Sequence, residues 1–351
     1  MTIYRLVLRR FRGVVEGELN LSKLTVLLGP NNSGKTSILE ALLLAHGVHR
    51  KILGDLTPFT ILSRIHQTLE SKGLAHLLHR YTSRAILRYD LEDRSWALVI
   101  DRVDTTITFY YITLHDITMK WLLEASSHEL SEKAKVIAEL TAYSENIVRC
   151  LERLHTTPTR GREEGVITPA LLIRPDLEHY VYSQLYKYWL DVVATGATRR
   201  TALWVSRASS EDYTDILAEP FLGGKPTLYA YRAPDGSRIR LGDLGDGVTL
   251  LIAARLAVEY ADPQLLLWDD VESHMNPRTL QLLALWLAEL VDQGKQVVVT
   301  THSLEAATTI ADMHDDTRIV RLTLRDGKLN TEYYSVEDVD KLKTLGIDVR
   351  A

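Results

Sequence analysis

The sequence predicts an α/β fold: a mixed, largely parallel core sheet, an antiparallel β lobe near the N-terminus, and a helical insertion between the two halves. Three observations predict it. A glycine-bounded loop joins an apolar run to a helix-forming segment in "LTVLLGPNNSGKTSILEALLLAHG" (24–47). Three strand-like runs follow one another between 84 and 113, and from Val248 to His302 the pattern reads helix, strand, helix, strand.

Each element has its own signal. The opening "IYRLVLRRFRGVVEGELNLSKLTVLLG" alternates as two or three strands that lead into the loop, and Lys35 to Ala45 reads as the helix after it. Residues 50 to 80 are helical and connecting. "RAILRYDL", "SWALVIDRV" and "TITFYYITL" are strands of an antiparallel sheet, separated by Glu92-Asp93 and Asp104. In the middle region, Ile137, Leu140, Ile147, Leu151 and Leu154 share one helical face, with Ser144 interrupting it. Leu177, Val181, Leu185, Tyr188 and Val192 make a second stripe, and the two predict a helical hairpin or a very short coiled coil.

Further on, Asp235-Gly236 marks a hairpin turn. "VTLLIAARLAVEYA" is an amphipathic helix, "QLLLW" a buried strand, "PRTLQLLALWLAEL" a helix with proline at its start, and "KQVVVTT" a second buried strand. A strand pair around Asp326-Gly327 and a last helix after Ser335 complete the chain. The expected division is an N-terminal lobe over 1–120, a helical insertion over 121–220 and a C-terminal lobe over 221–351.

Composition bounds the function. The 351 residues are 46% hydrophobic, enough for one large core or two modest ones, and the net charge of −5 argues against a surface coated for unspecific nucleic-acid binding. The single cysteine, Cys150, excludes an internal disulfide and fits a reducing compartment and core packing. No apolar run approaches the ~20 residues of a membrane span, and the charged, strand-like N-terminus is not a signal peptide, so the expected location is the cytoplasm.

The chemistry lies in three places. Gly29, Gly34, Lys35 and Thr36 stand at the spacing G-x-x-x-x-G-K-[ST] between strand and helix. Glycines let successive backbone N–H groups point at one anion, and the helix adds its positive end. Lys35 reaches the terminal phosphates, and the Thr36 hydroxyl suits Mg²⁺, which needs oxygen ligands. Asp269 and Asp270 end the strand "LLLW", where Asp269 serves the metal and Asp270 orients or deprotonates a water. His302 closes the strand "KQVVVTT" and is placed to hydrogen-bond a γ-phosphate or the attacking water.

Taken in order, "GPNNSGKT", "LGDGV", "LLLWDDVESHMNP" and "VVVTTHS" resemble the motif series of an ABC-type ATPase head of the SMC, RecF and OLD-like AAA-family ATPases, whose "F-R-G" is matched by Phe11-Arg12-Gly13. The resemblance implies a P-loop NTPase fold of ABC-ATPase type, in which two heads sandwich two ATP molecules. It implies that Gly29, Pro30, Asn31, Asn32, Ser33, Gly34, Lys35 and Thr36 cradle the nucleotide, with Arg12 as a further contact. Thr36 and Asp269 hold Mg²⁺, His302 is the switch histidine, and Gly245 and Gly247 belong to the signature loop that caps the partner's γ-phosphate. Departures from the pattern are Asp270 where a glutamate is usual, Val271 for proline, Asn276 where OLD-like relatives often have histidine, and Gly245 for the signature serine. Gln67 is the one nearby candidate for a Q-loop glutamine.

Two functions are open. One is an ATPase that dimerises on ATP and passes its switch to DNA or a separate effector, in repair, chromosome maintenance or defence. The other is a slowly turning or non-turning subunit that binds ATP and licenses a partner nuclease. For DNA, the candidates are Arg5, Arg9, Arg10 and Arg12, the pair Arg199 and Arg200, and the pair Arg238 and Arg240, which read equally as solvated faces.

Overall fold

The computed structural model of the chain describes residues 2–67, 69, 73–114, 117–133, 135–141, 169–207, 211–232 and 235–344. The strands are β1 (Ile3–Phe11), β2 (Val14–Asn20), β3 (Leu24–Leu28), β4 (Arg84–Leu91), β5 (Ser95–Val103), β6 (Thr106–Thr113), β7 (Lys135–Thr141) and β8 (Ala170–Ile173). They continue with β9 (Tyr213–Pro220), β10 (Pro226–Arg232), β11 (Arg238–Arg240), β12 (Leu265–Trp268), β13 (Gln296–Thr301), β14 (Thr317–Arg325) and β15 (Lys328–Tyr334). Twelve of them form one sheet in the order β7-β6-β5-β4-β1-β2-β15-β14-β3-β13-β12-β8, and β11-β10-β9 form a second.

The long sheet has two characters. From β14 to β8 every pairing is parallel, and β3, β8, β12 and β13 are buried at every residue, as a sheet covered on both faces requires. Register then brings strand ends together: Thr301 pairs with Leu28, and Trp268 pairs with both Val299 and Ile173. From β2 through β1 and β4 to β7 the pairings are antiparallel. The three strands expected between 84 and 113 are β4, β5 and β6, and the pair expected around Asp326-Gly327 is β14 with β15.

The helix after the loop, α1 (Lys35–Leu44), is buried along nearly its whole length and apolar all round, so it sits within the core rather than on it. The antiparallel lobe fixes it in place. The Tyr89 hydroxyl of β4 donates to the Ala41 carbonyl and the Tyr111 hydroxyl of β6 to that of Leu44, both at 2.7 Å. These are among the last carbonyls of α1, which have no partner within the helix. The lobe thereby positions the phosphate loop from behind.

One sequence expectation is corrected. The helical face assigned to Ile137 and Leu140 falls on β7, where Leu140 pairs with Ile107 and Ala138 with Phe109 of β6. "KVIAELT" carries apolar residues at period 2 as well as near 3.6, and pairing with β6 decides between them. Ser144, Ile147, Cys150, Leu151 and Leu154 lie outside the described residues. The second stripe is helical, over Glu178–Lys187 and Trp189–Ala194, with Leu177, Val181, Leu185 and Val192 buried.

Candidate nucleotide site

Because β3, β13, β12 and β8 run parallel and side by side, the residues after their carboxyl ends converge. Those residues are the loop from Gly29, then His302, Asp269 and Arg174. They border a cleft of about 720 Å³ lined by Asn31 to Ser37, Arg12, His66, Arg174, Asp270 and His302, among others.

The loop is built for an anion. Gly34 precedes α1 at φ 97°, a left-handed conformation that glycine adopts without strain, and no side chain caps the helix. The first N–H groups of α1 are therefore left for a ligand. Ser33 Oγ is buried without a hydrogen-bond partner among the described residues, which fits a loop completed by phosphate oxygens. Lys35 is buried, and its Nζ donates to the loop's own carbonyls, Gly29 at 2.7 Å and Pro30 at 2.9 Å. Burial lowers the Lys35 ammonium's pKa against the opposing pull of Asp270 and Asp269.

Asp269 lies beneath the cleft, 5% exposed. Its Oδ1 accepts from the Thr300 hydroxyl at 2.7 Å, and its Oδ2 accepts from the Thr36 hydroxyl at 3.3 Å. A hydroxyl and a carboxylate facing each other at the cleft base are oxygen donors suited to Mg²⁺, which keeps much of its shell as water and phosphate. No cluster of three His, Cys, Asp or Glu side chains among the described residues forms a richer cage.

Asp270 sits at φ 51°, a strained conformation for an L residue, and its backbone N–H donates to Thr300 Oγ1 at 2.9 Å. Its Oδ1 is 3.6 Å from His302 Nε2, while Lys35 Nζ lies 3.5 Å from His302 Nδ1. With the ammonium donating to Nδ1, the imidazole carries its proton on Nε2, toward Asp270. Burial and the charge of Asp269 together raise the Asp270 carboxyl's pKa from its ordinary value.

Sequence reasoning missed four residues of the site. Arg174, after β8, places Nη1 3.2 Å from Asp269 Oδ2. Glu272 Oε1 accepts from the His302 backbone N–H at 2.7 Å and braces the strand end. Glu40, fully buried in α1, pairs with Arg12 and accepts from His66 Nε2 at 2.7 Å. Burial raises the Glu40 carboxyl, but the His66 hydrogen bond and the Arg12 charge outweigh it, and the net direction is down. "ALLIR" between prolines carried the signal for Arg174: a short apolar run ending in a charge, as "LLLWD" does.

Two family models match the chain, "AAA ATPase domain" over residues 1–80 and "AAA domain, putative AbiEii toxin, Type IV TA system" over residues 150–307. Among solved structures, the SMC head domain from Thermotoga maritima aligns at 15% identity and TM-score 0.50, over 95% of this chain and 100% of its own. The Smc head domain from Pyrococcus furiosus, with an extended coiled coil and bound to the C-terminal domain of ScpA, aligns at 13% identity and TM-score 0.50, over 98% of each chain. An SmcHead bound to the C-winged helix domain of ScpA aligns at 15% identity and TM-score 0.51, over 96% of this chain and 99% of its own. No curated protein matches. Both family models describe AAA ATPase domains, and the solved SMC heads share the P-loop ATPase fold of this chain.

The remaining expected residues lie apart from the cleft. Gly245 precedes the helix Asp246–Ala261 in open space, and a Cβ at Gly247 would meet the His274 carbonyl at 2.3 Å, so close packing accounts for the second glycine. Neither lines this chain's own cleft. Gln67 is exposed, its amide on the Leu69 carbonyl at 3.2 Å, and is outside the cleft. Asn276 caps the helix Pro277–Asp292 by accepting from Thr279 N–H at 2.9 Å. Most of the candidate DNA arginines are paired: Arg5 with Glu18, Arg9 with Glu16, Arg12 with Glu40, Arg200 with Glu259, Arg238 with Glu219 and Arg240 with Asp243. No helix of the described residues is long and apolar enough to cross a membrane.

Proposed function

We propose that the chain binds Mg-ATP in this cleft, closes around it with a second copy, and hydrolyses it with Asp270 and His302. The observation that carries this reading is the convergence of Lys35, Thr36, Asp269, Asp270 and His302 from the ends of three neighbouring strands. Lys35 exchanges its bonds to the loop carbonyls for the terminal phosphates. Asp270 takes the proton of the attacking water. A base acts ionised, so turnover is lost as pH falls far enough to protonate Asp270. His302 orients the water with its Nε2 proton. Thr36 and Asp269 would hold the metal, which supplies positive charge to the developing phosphate charge.

Dimer closure is supported by the position of Gly245 and Gly247 at a helix N-terminus outside this chain's own cleft, where a partner's phosphate is the available anion. The output is a DNA-related process, repair, maintenance or defence, reached through DNA or a bound effector protein. The pairing of most candidate arginines with carboxylates favours the protein effector. A second reading, a licensing subunit that turns over slowly, is favoured by Asp270, one methylene short of glutamate and drawn toward His302.

The test is steady-state phosphate release across a protein concentration series, with Lys35→Ala and Asp270→Asn. Specific activity that rises with concentration and vanishes in both variants is the expected result. Nucleotide binding without turnover would turn the conclusion to the licensing subunit.

A further inference from the structure

We propose that Arg174 is a tethered arginine that pairs with Asp269 and turns to the nucleotide's phosphates when Asp269 is engaged in the loaded site. The inference rests on the nucleotide reading above and adds a residue and a switch to it. Arg174 follows β8 directly, and its guanidinium bridges two carboxylates. Nε and Nη2 donate to the two oxygens of Asp176, at 2.8 and 3.1 Å, a bidentate pairing that fixes the plane of the fork. Nη1 is left at the cleft, 3.2 Å from Asp269 Oδ2.

That oxygen is the one on which Thr36 Oγ1 also converges, at 3.3 Å. Arg174 thus stands where the metal-side acid would meet a cation, and both contacts are longer than the ~2.7–2.9 Å of a settled charge-assisted bond. Two cations do not share one carboxylate oxygen at close range without a strong repulsion. Asp269 serves a loaded site only after Arg174 releases it. Asp176, half exposed, keeps the fork at the rim meanwhile, so that Nη1 stays over the cleft where phosphates are the incoming anions.

The experiment is binding of a fluorescent ATP analogue to the full chain while Mg²⁺ is titrated. Arg174→Gln removes the competing charge and the phosphate contact. The Mg²⁺ midpoint is expected to fall about tenfold, while affinity for the analogue at saturating Mg²⁺ weakens about tenfold. Asp176→Asn releases the fork to pair more fully with Asp269, and the midpoint is expected to rise about threefold. Midpoints that do not move in opposite directions overturn the inference while leaving nucleotide binding in place. A wild-type chain that binds no analogue at any Mg²⁺ concentration overturns both it and the nucleotide reading.

Discussion

Two buried carboxylates flank the cleft, and they are held in opposite ways. Glu40 is wholly enclosed and fully engaged by the protein itself, with His66 at 2.7 Å on one oxygen and Arg12 on the other. Asp269 has one firm contact, from Thr300 at 2.7 Å, and on its cleft-facing oxygen only the longer approaches of Thr36 and Arg174. A carboxylate engaged on both oxygens by the protein itself is an anchor, and removing it leaves the Arg12 charge unpaired. One with loose contacts on its open side is prepared to exchange them. The difference separates what holds the loop in place from what works in it.

The comparison breaks most visibly in activity. Asp269→Asn is expected to lower phosphate release about 10³-fold, and Asp270→Asn about 10²- to 10⁴-fold, while both leave the thermal midpoint nearly unmoved. A large drop in thermal stability of Asp269→Asn would make it an anchor like Glu40. Glu40→Gln is the reverse case. It keeps a side chain of the same shape but leaves Arg12 without its counter-charge, and the expected loss is about 3 kcal/mol in urea unfolding. An unchanged urea midpoint would show that Arg12 and His66 find other partners.

The anchor and the exchangeable acid were not equally legible. Asp269 stands at the end of an uninterrupted apolar strand, where position alone announces a ligand group. Lys35 and Thr36 were legible from the G-x-x-x-x-G-K-[ST] spacing, and His302, like Asp269, from the buried apolar run that it follows. Glu40 lies inside an apolar helix, with no periodicity to mark it, and its partners Arg12 and His66 come from distant segments. Arg174 was hidden by the shortness of β8, a strand of only four residues, and its role depends on the pairing of β8 with β12. Around 137, a short run with two periodicities was decided by the neighbouring edge of β6.

The smallest expected effect sharpens the anchor side through pH. The His76 ring lies 4.2 Å from that of His66, centroid to centroid, and its Nδ1 donates to the Gly73 carbonyl at 3.1 Å. Burial, and then the nearby His66 and Arg12 against the opposing Glu40, lower its pKa to about 4. His49, packed against Phe59 away from the cleft, is lowered by burial to about 4 as well. In the unfolded chain both take up a proton near pH 6.5, so each contributes stability that is full above that pH and lost as pH falls from about 6.5 to about 4. Glu40, with its pKa lowered, loses its contribution only below the usual carboxylate range, in a separate window. His76→Phe keeps a ring in the cavity and removes one titration. Urea unfolding at a series of pH values should show a slope shallower than wild type by at most about 1.4 kcal/mol per pH unit between pH 6 and 4.5. Slopes that coincide would mean that His76 is protonated in the folded chain, and that the anchor holds a larger positive charge than its contacts indicate.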